Sequence, residues 1–223
     1  MKHEYIIREN HPRLLLFFAG WAADATPFRT YRPEGHDFLL CYDYRTLEAD
    51  FLPLRTYQEI NVVGWSMGVW AASHVMPRLD APIGRSIALN GTPFPVDPQL
   101  GIPPAIWQGT LDGLSPASLH KFCRRMCADT EAFHRFLRVS PHRPVEELAE
   151  EMRAIEQQLD TCPAAPAGHW TEAVTGSQDR IVPPSNQQRA WETWGVPLRL
   201  TDDAHYSEKM FQEYLQDTWK KNK

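Results

Sequence analysis

The chain has 223 residues, 43% of them hydrophobic, with a formal net charge of −5. Such a length suits one domain carrying a small insertion, and the apolar content is enough for a packed core, which argues against a disordered chain. The acidic balance argues against a nucleic-acid-binding surface spread over the whole molecule.

The opening residues, MKHEYIIRENHPR, carry charges where a secretion signal needs an unbroken apolar run. The longest apolar stretch, 14–19, is too short to span a membrane. A cytoplasmic protein with no membrane and no nucleic-acid partner is the expectation. Residues 14–19 read instead as a buried strand ending at Gly20. Residues 37–42 and 60–63 are further strand candidates, the second ending at Gly64. From 67 to 79, Ala, Val, Trp and Met recur at helical spacing. Residues 85–90 predict the next strand, stopped by Gly91-Thr92-Pro93. Buried strands alternating with helices predict a parallel sheet covered on both faces.

The pattern changes after Pro104. Between 105 and 160 there is no strand candidate. Helices are predicted over 118–127, 130–139 and 145–159, the last two parted by Pro141 and Pro144. A Pro/Ala-rich link over 162–168 then leads back to the sheet. Residues 170–175 and 196–201 are the last strand candidates, and 206–219 a closing helix. The domain organisation expected is a core of 1–104 and 161–223, with 105–160 as a small helical cap.

Four cysteines are present, Cys41, Cys123, Cys127 and Cys162. Their spacing fits no small-domain disulfide framework. Cys123 and Cys127 would share one helix face, but no second pair stands at metal-binding distance in sequence, so reduced thiols and no metal are expected. A G-x-G-x-x-G turn, a phosphate loop and an H-E-x-x-H helix are all missing from the sequence. No cofactor is expected.

The most informative residues are Gly64-Trp65-Ser66-Met67-Gly68. They fit G-x-S-x-G, in which a strand turns sharply into a helix and leaves a strained serine exposed at the sheet edge. Small residues two before and two after let the two backbones pass closely. The match follows an apolar run and opens a helical segment, as that turn requires. This is the nucleophile turn of the α/β-hydrolase fold, a mostly parallel sheet flanked by helices, and Ser66 is the candidate nucleophile.

A serine hydroxyl needs a base to take its proton, and in this fold the acid and then the histidine follow in sequence. Of nine histidines, His205 follows the last strand candidate directly and precedes the last helix. A loop at the C-terminal end of a strand can reach a site above the sheet. His3 and His11 precede the core, and His120, His134 and His142 fall in the cap. His36 and His169 precede strands, and His74 lies two turns into a helix. Asp179, in the turn-rich loop Gly176-Ser177-Gln178-Asp179, is the candidate acid that orients the base. Asp202 and Asp203 are too near His205 in sequence to approach it from the required side, and either is a candidate turn residue.

Two backbone N–H groups usually meet the oxyanion. Met67, after the nucleophile, is one candidate. Trp21, after Gly20, is the other. The Trp21 and Trp65 rings are candidate pocket walls.

Phe18-Ala19-Gly20-Trp21, Pro27-Phe28, the run Gly64-Trp65-Ser66-Met67-Gly68-Val69-Trp70-Ala71-Ala72, and Leu89-Asn90-Gly91-Thr92 together resemble the BioG family. The resemblance covers most of the chain. One departure is Ala22, where the family pattern leads us to expect glycine after the tryptophan; it touches the shape of the oxyanion loop. The resemblance implies a pimeloyl-acyl-carrier-protein methyl ester esterase of biotin synthesis, with an acyl-Ser66 intermediate and an acyl carrier protein as partner. Carrier proteins are usually strongly acidic. The cap holds Lys121, Arg124, Arg125, Arg135, Arg138 and Arg143, a basic face suited to such a partner and its phosphate. It also holds Glu146, Glu147, Glu150 and Glu151, as an ordinary solvated helix face does. The alternatives are an esterase or thioesterase for another small acyl ester or acyl-CoA, a non-catalytic ligand-binding module on the same fold, and a scaffold protein.

Overall fold

The computed structural model describes residues 1–161 and 169–220. Seven strands form one sheet: β1 (Lys2–Ile7), β2 (Arg13–Phe18), β3 (His36–Tyr42), β4 (Glu59–Trp65), β5 (Ile83–Leu89), β6 (Glu172–Gly176) and β7 (Leu198–Thr201). Their order across the sheet is β1-β3-β2-β4-β5-β6-β7. Among the described residues only the β1–β3 pair is antiparallel; the other pairings in the sheet are parallel.

The apolar runs are continuous because both faces of the sheet are covered. Along β2, Leu14, Leu16 and Phe18 enter one core with Val69, Trp70 and Trp191. Leu15 and Phe17 enter the opposite core with Phe28, Phe38 and Phe211. The two-residue period of a strand produces this division. Helices α1 (Met67–Val75) and α6 (Pro184–Trp194) supply the first core and α7 (Glu208–Leu215) the second.

Between β5 and β6 lie α2 (Pro104–Asp112), α3 (Pro116–Met126), α4 (Thr130–Leu137) and α5 (Val145–Thr161). The sequence reading expects three helices here, and α2 is the addition. It starts with Pro104 at its first position, where the missing N–H is harmless. The expected link over 162–168, with Cys162, lies outside the described residues. Cys41, Cys123 and Cys127 are free thiols.

Two further differences have physical causes. The edge strand β1 has no sequence expectation, because Lys2, His3 and Glu4 interrupt its apolar pattern, as suits an edge. Strict alternation of strand and helix also fails early in the chain. The β2–β3 and β3–β4 crossings carry only the 3₁₀ turns Thr26–Phe28 and Leu52–Thr56. Pro27 and Pro53 sit in these turns, and buried Phe28 and Leu54 fill the space a helix would cover. No helix among the described residues is long and apolar enough to cross a membrane.

Candidate active site

Ser66 sits between the last residue of β4 and the first of α1, with φ 56° and ψ −124°. A non-glycine residue there stores about 1–3 kcal/mol of strain. The flanking glycines make the turn possible. A β-carbon on Gly68 would collide with the Phe18 carbonyl oxygen, and one on Gly64 would stand 2.9 Å from the Val69 Cα. The Ser66 amide donates to Leu89 O (2.9 Å), which fastens the elbow to β5. Met67 is the first residue of α1, so its N–H has no acceptor within the helix and lies at the positive end of the helix dipole.

His205 is buried in the loop between β7 and α7. Its Nδ1 lies 2.9 Å from Asp179 Oδ2, which leaves Nε2 for a second partner. The Asp179 carboxylate is also buried, in the loop after β6. Its Oδ1 accepts the Ile181 and Val182 amides at 2.8 and 3.0 Å. Its Oδ2 accepts Gln187 Nε2 at 2.9 Å, besides the imidazole. The Asp203 carboxylate instead accepts the Ser207 hydroxyl at 2.6 Å.

Two side chains hold the base from behind. Trp65 Nε1 and Asn90 Nδ2 both donate to the His205 carbonyl, at 2.9 and 3.1 Å. Asn90 also donates to Ala204 O (2.9 Å) and accepts the Gly176 amide (2.7 Å). It therefore joins the loop carrying the acid to the loop carrying the base. Neither Asn90 nor Gln187 was assigned a site role from sequence. Asn90 had a signal, its place at the end of a strand beside the elbow; Gln187 had none.

Ser66 and His205 line one chamber of about 30 Å³, together with Gly20, Trp21, Trp65 and Met67. Helix α2 contributes Ile106 and Trp107 to its walls, α3 Phe122 and Arg125, and α5 Met152. An apolar cavity of about 220 Å³ adjoins it, lined by Phe28, Leu148 and Tyr206 among others. Trp21, Trp65, Phe122 and Met126 border both spaces. Trp65 stacks obliquely on the His205 ring at 5.4 Å. Trp21 Nε1 donates to Leu148 O (3.1 Å), tying the Gly20–Trp21 turn to α5. Ala22 takes φ 66°, the left-handed conformation glycine prefers, so the turn keeps a glycine-like shape without glycine. Cys123 lines the larger cavity, but burial pushes its thiol up to about 11, so it stays protonated.

The cap arginines divide. Arg125 is exposed, borders the nucleophile's chamber and lies over the Phe122 ring at 5.9 Å. Arg124 donates to Thr130 Oγ1 at 2.9 Å. Arg135 pairs with Glu131 and Glu208, both at 2.8 Å, and Arg138 is exposed. Arg143 departs from the expected basic face. Its side chain is only 6% exposed and pairs with Glu151 (2.6 Å) and Asp43 (3.3 Å). A buried carboxylate needs a buried cation, and that requirement draws Arg143 inward.

The chain matches the family model described as "Pimeloyl-ACP methyl esterase BioG" over residues 1–216. It is 51% identical over 201 residues to a malonyl-[acyl-carrier protein] O-methyltransferase of Bacteroides fragilis, covering 90% of this chain and 41% of that protein. It thus spans about two fifths of the length of that curated relative. An uncharacterized protein of Haemophilus influenzae is 38% identical over 179 residues, covering 80% of this chain and 81% of that one. The crystal structure of BioG from Haemophilus influenzae superposes with a TM-score of 0.87 at 34% identity, covering 96% of this chain and 98% of that chain. A hydrolase from Pseudomonas aeruginosa (TM-score 0.66, 14% identity, 95% and 89% covered) shares the α/β-hydrolase fold alone.

Proposed function

The chain belongs to the BioG family, an esterase family of α/β-hydrolase fold, and from that premise we propose that it hydrolyses the methyl ester of a pimeloyl group carried on an acyl carrier protein. The observation that carries this reading is the sharing of one chamber by Ser66 and a His205 whose Nδ1 is held by Asp179. His205 Nε2 takes the Ser66 proton as Oγ attacks the methyl ester carbonyl. The Trp21 and Met67 amides meet the oxygen that becomes negative. Collapse breaks the bond to the methoxy group, which leaves with the proton from His205 as methanol. Water then gives a proton to His205 and attacks acyl-Ser66, and the proton returns to Ser66 as the acid departs.

The family description supports the substrate. So does a relative named for methylating a carrier-bound acyl group. The 30 Å³ chamber suits a one-carbon alcohol, and the adjoining apolar cavity suits the acyl methylenes. Residues 105–160 act as a cap over this chamber. Its basic residues, the half-buried Arg124 and the exposed Arg125, Arg135 and Arg138, are the proposed carrier contacts, with Arg125 on the wall of the chamber. An enzyme of this kind, working on a soluble carrier, belongs in the cytoplasm.

The test compares pimeloyl-carrier-protein methyl ester with free methyl pimelate, using the wild type and Ser66→Ala. Carrier-bound ester should be cleaved quickly, free ester much more slowly, and neither by Ser66→Ala. Equal rates on both esters would remove the carrier from the reading. Activity surviving in Ser66→Ala would remove the mechanism.

A further inference from the structure

Asp179 Oδ2 has two donors converging on it. One is the His205 imidazole; the other is Gln187 Nε2, also at 2.9 Å. Gln187 is 0% exposed and lies in the first turns of α6. Its second N–H donates to Val182 O (2.9 Å), and its Oε1 accepts the Thr175 hydroxyl (2.9 Å). This chemistry sets the amide's orientation. Turned over, Oε1 would face both the Asp179 carboxylate and the Val182 carbonyl, two acceptors with no proton between them.

We propose that Gln187 is a positioning residue that sets both the rotamer and the basicity of Asp179, and through it the protonation of His205. The proposal rests on the triad reading above. The Ile181 and Val182 amides hold Oδ1, and Gln187 holds Oδ2. Rotation of the carboxylate would break all of these bonds. The Gln187 N–H also draws electron density from the one oxygen that faces the imidazole. Oδ2 is therefore a weaker partner for imidazolium than a free carboxylate oxygen would be. His205 then accepts the serine proton and still gives it up readily to the leaving group. Asp179 touches the ring, Arg125 of α3 lies on the chamber wall, and the other residues lining that chamber are uncharged.

The test is the pH profile of kcat/KM on p-nitrophenyl butyrate for Gln187→Met, together with an imidazole NMR titration assigned with His205→Ala. Removing the donor makes Oδ2 more basic and stabilises imidazolium. Both midpoints should rise by about 0.5–1 unit, while kcat falls about tenfold and KM stays within about twofold. In Gln187→Glu the new carboxyl can donate only while protonated, so activity relative to wild type should fall as pH rises. This variant keeps the question answerable if Gln187→Met folds poorly. Gln188→Met, an exposed neighbour, should behave as wild type. A drop in kcat with unmoved midpoints would reduce Gln187 to packing and overturn the proposal. Failure of the triad itself would show separately, as hydrolysis surviving in Ser66→Ala, and the NMR midpoint needs no turnover.

Discussion

Trp65 Nε1 donates to the main-chain carbonyl of His205 across 2.9 Å, so the residue just before the nucleophile holds the base. Sequence proximity to Ser66 thus becomes spatial control of His205, 140 residues away. Trp65→Phe keeps an aromatic ring but removes the N–H and part of the buried indole. Asn90 still reaches the same carbonyl, so the fold should survive with a loss of about 2–3 kcal/mol from the missing hydrogen bond and the void left by the smaller ring. We expect kcat to fall about tenfold with KM little changed. Steady-state kinetics beside a urea melt would check it; an unchanged kcat would show that Asn90 suffices.

The buried pair Arg143–Glu151 clamps α5 to the core, because Glu151 Oε1 also accepts the Tyr44 amide at 2.8 Å. Burial pushes the Glu151 carboxyl up, and the Arg143 guanidinium opposes that push. Arg143→Met should leave the carboxylate unpaired and cost about 3–5 kcal/mol. The double variant Arg143→Met/Glu151→Leu removes the unpaired charge but leaves the Tyr44 amide without its acceptor, so it should recover part of the loss. Equilibrium urea unfolding measures both, and a double variant no more stable than Arg143→Met would contradict this account.

Asp37 lies at the start of β3. Burial alone would raise its pKa. Hydrogen bonds from the Glu9 and His11 amides and the Tyr57 hydroxyl outweigh burial and hold the carboxyl below its ordinary value of 3.8. A depressed folded-state pKa means stability that is present above the unfolded value and lost as pH falls through the folded one. The wild-type Tm should therefore drop as pH falls below about 4. Asp37→Asn should be less stable at pH 7 and show a flatter acid limb. Parallel slopes in calorimetric scans would assign the acid sensitivity elsewhere.

Ala22 takes φ 66° beside the proposed oxyanion donor Trp21. Ala22→Gly relieves a left-handed strain of about 1–2 kcal/mol, partly offset by the freer unfolded chain. Stability should rise by up to about 1 kcal/mol with kcat nearly unchanged. A large fall in kcat would mean that Ala22 itself holds the turn's shape.

Much of this molecule was legible in one dimension. The runs at β2, β4 and β5 are continuous apolar segments because both sheet faces are covered. The elbow could be read because Gly64 and Gly68 are demanded by contacts within a few residues and one neighbouring strand. Ser66, Asp179 and His205 each follow a strand, and that position is visible in sequence. Local periodicity and local sterics determined these features. Tertiary structure alone decided the rest. It brought Gln187 from α6 onto the acid, set Trp65 and Asn90 behind the base, turned Arg143 away from solvent, and ran β1 along an edge where polar residues suffice. Each of these depends on pairing between segments far apart in sequence, whose partners a hydrogen bond or buried charge must find in space.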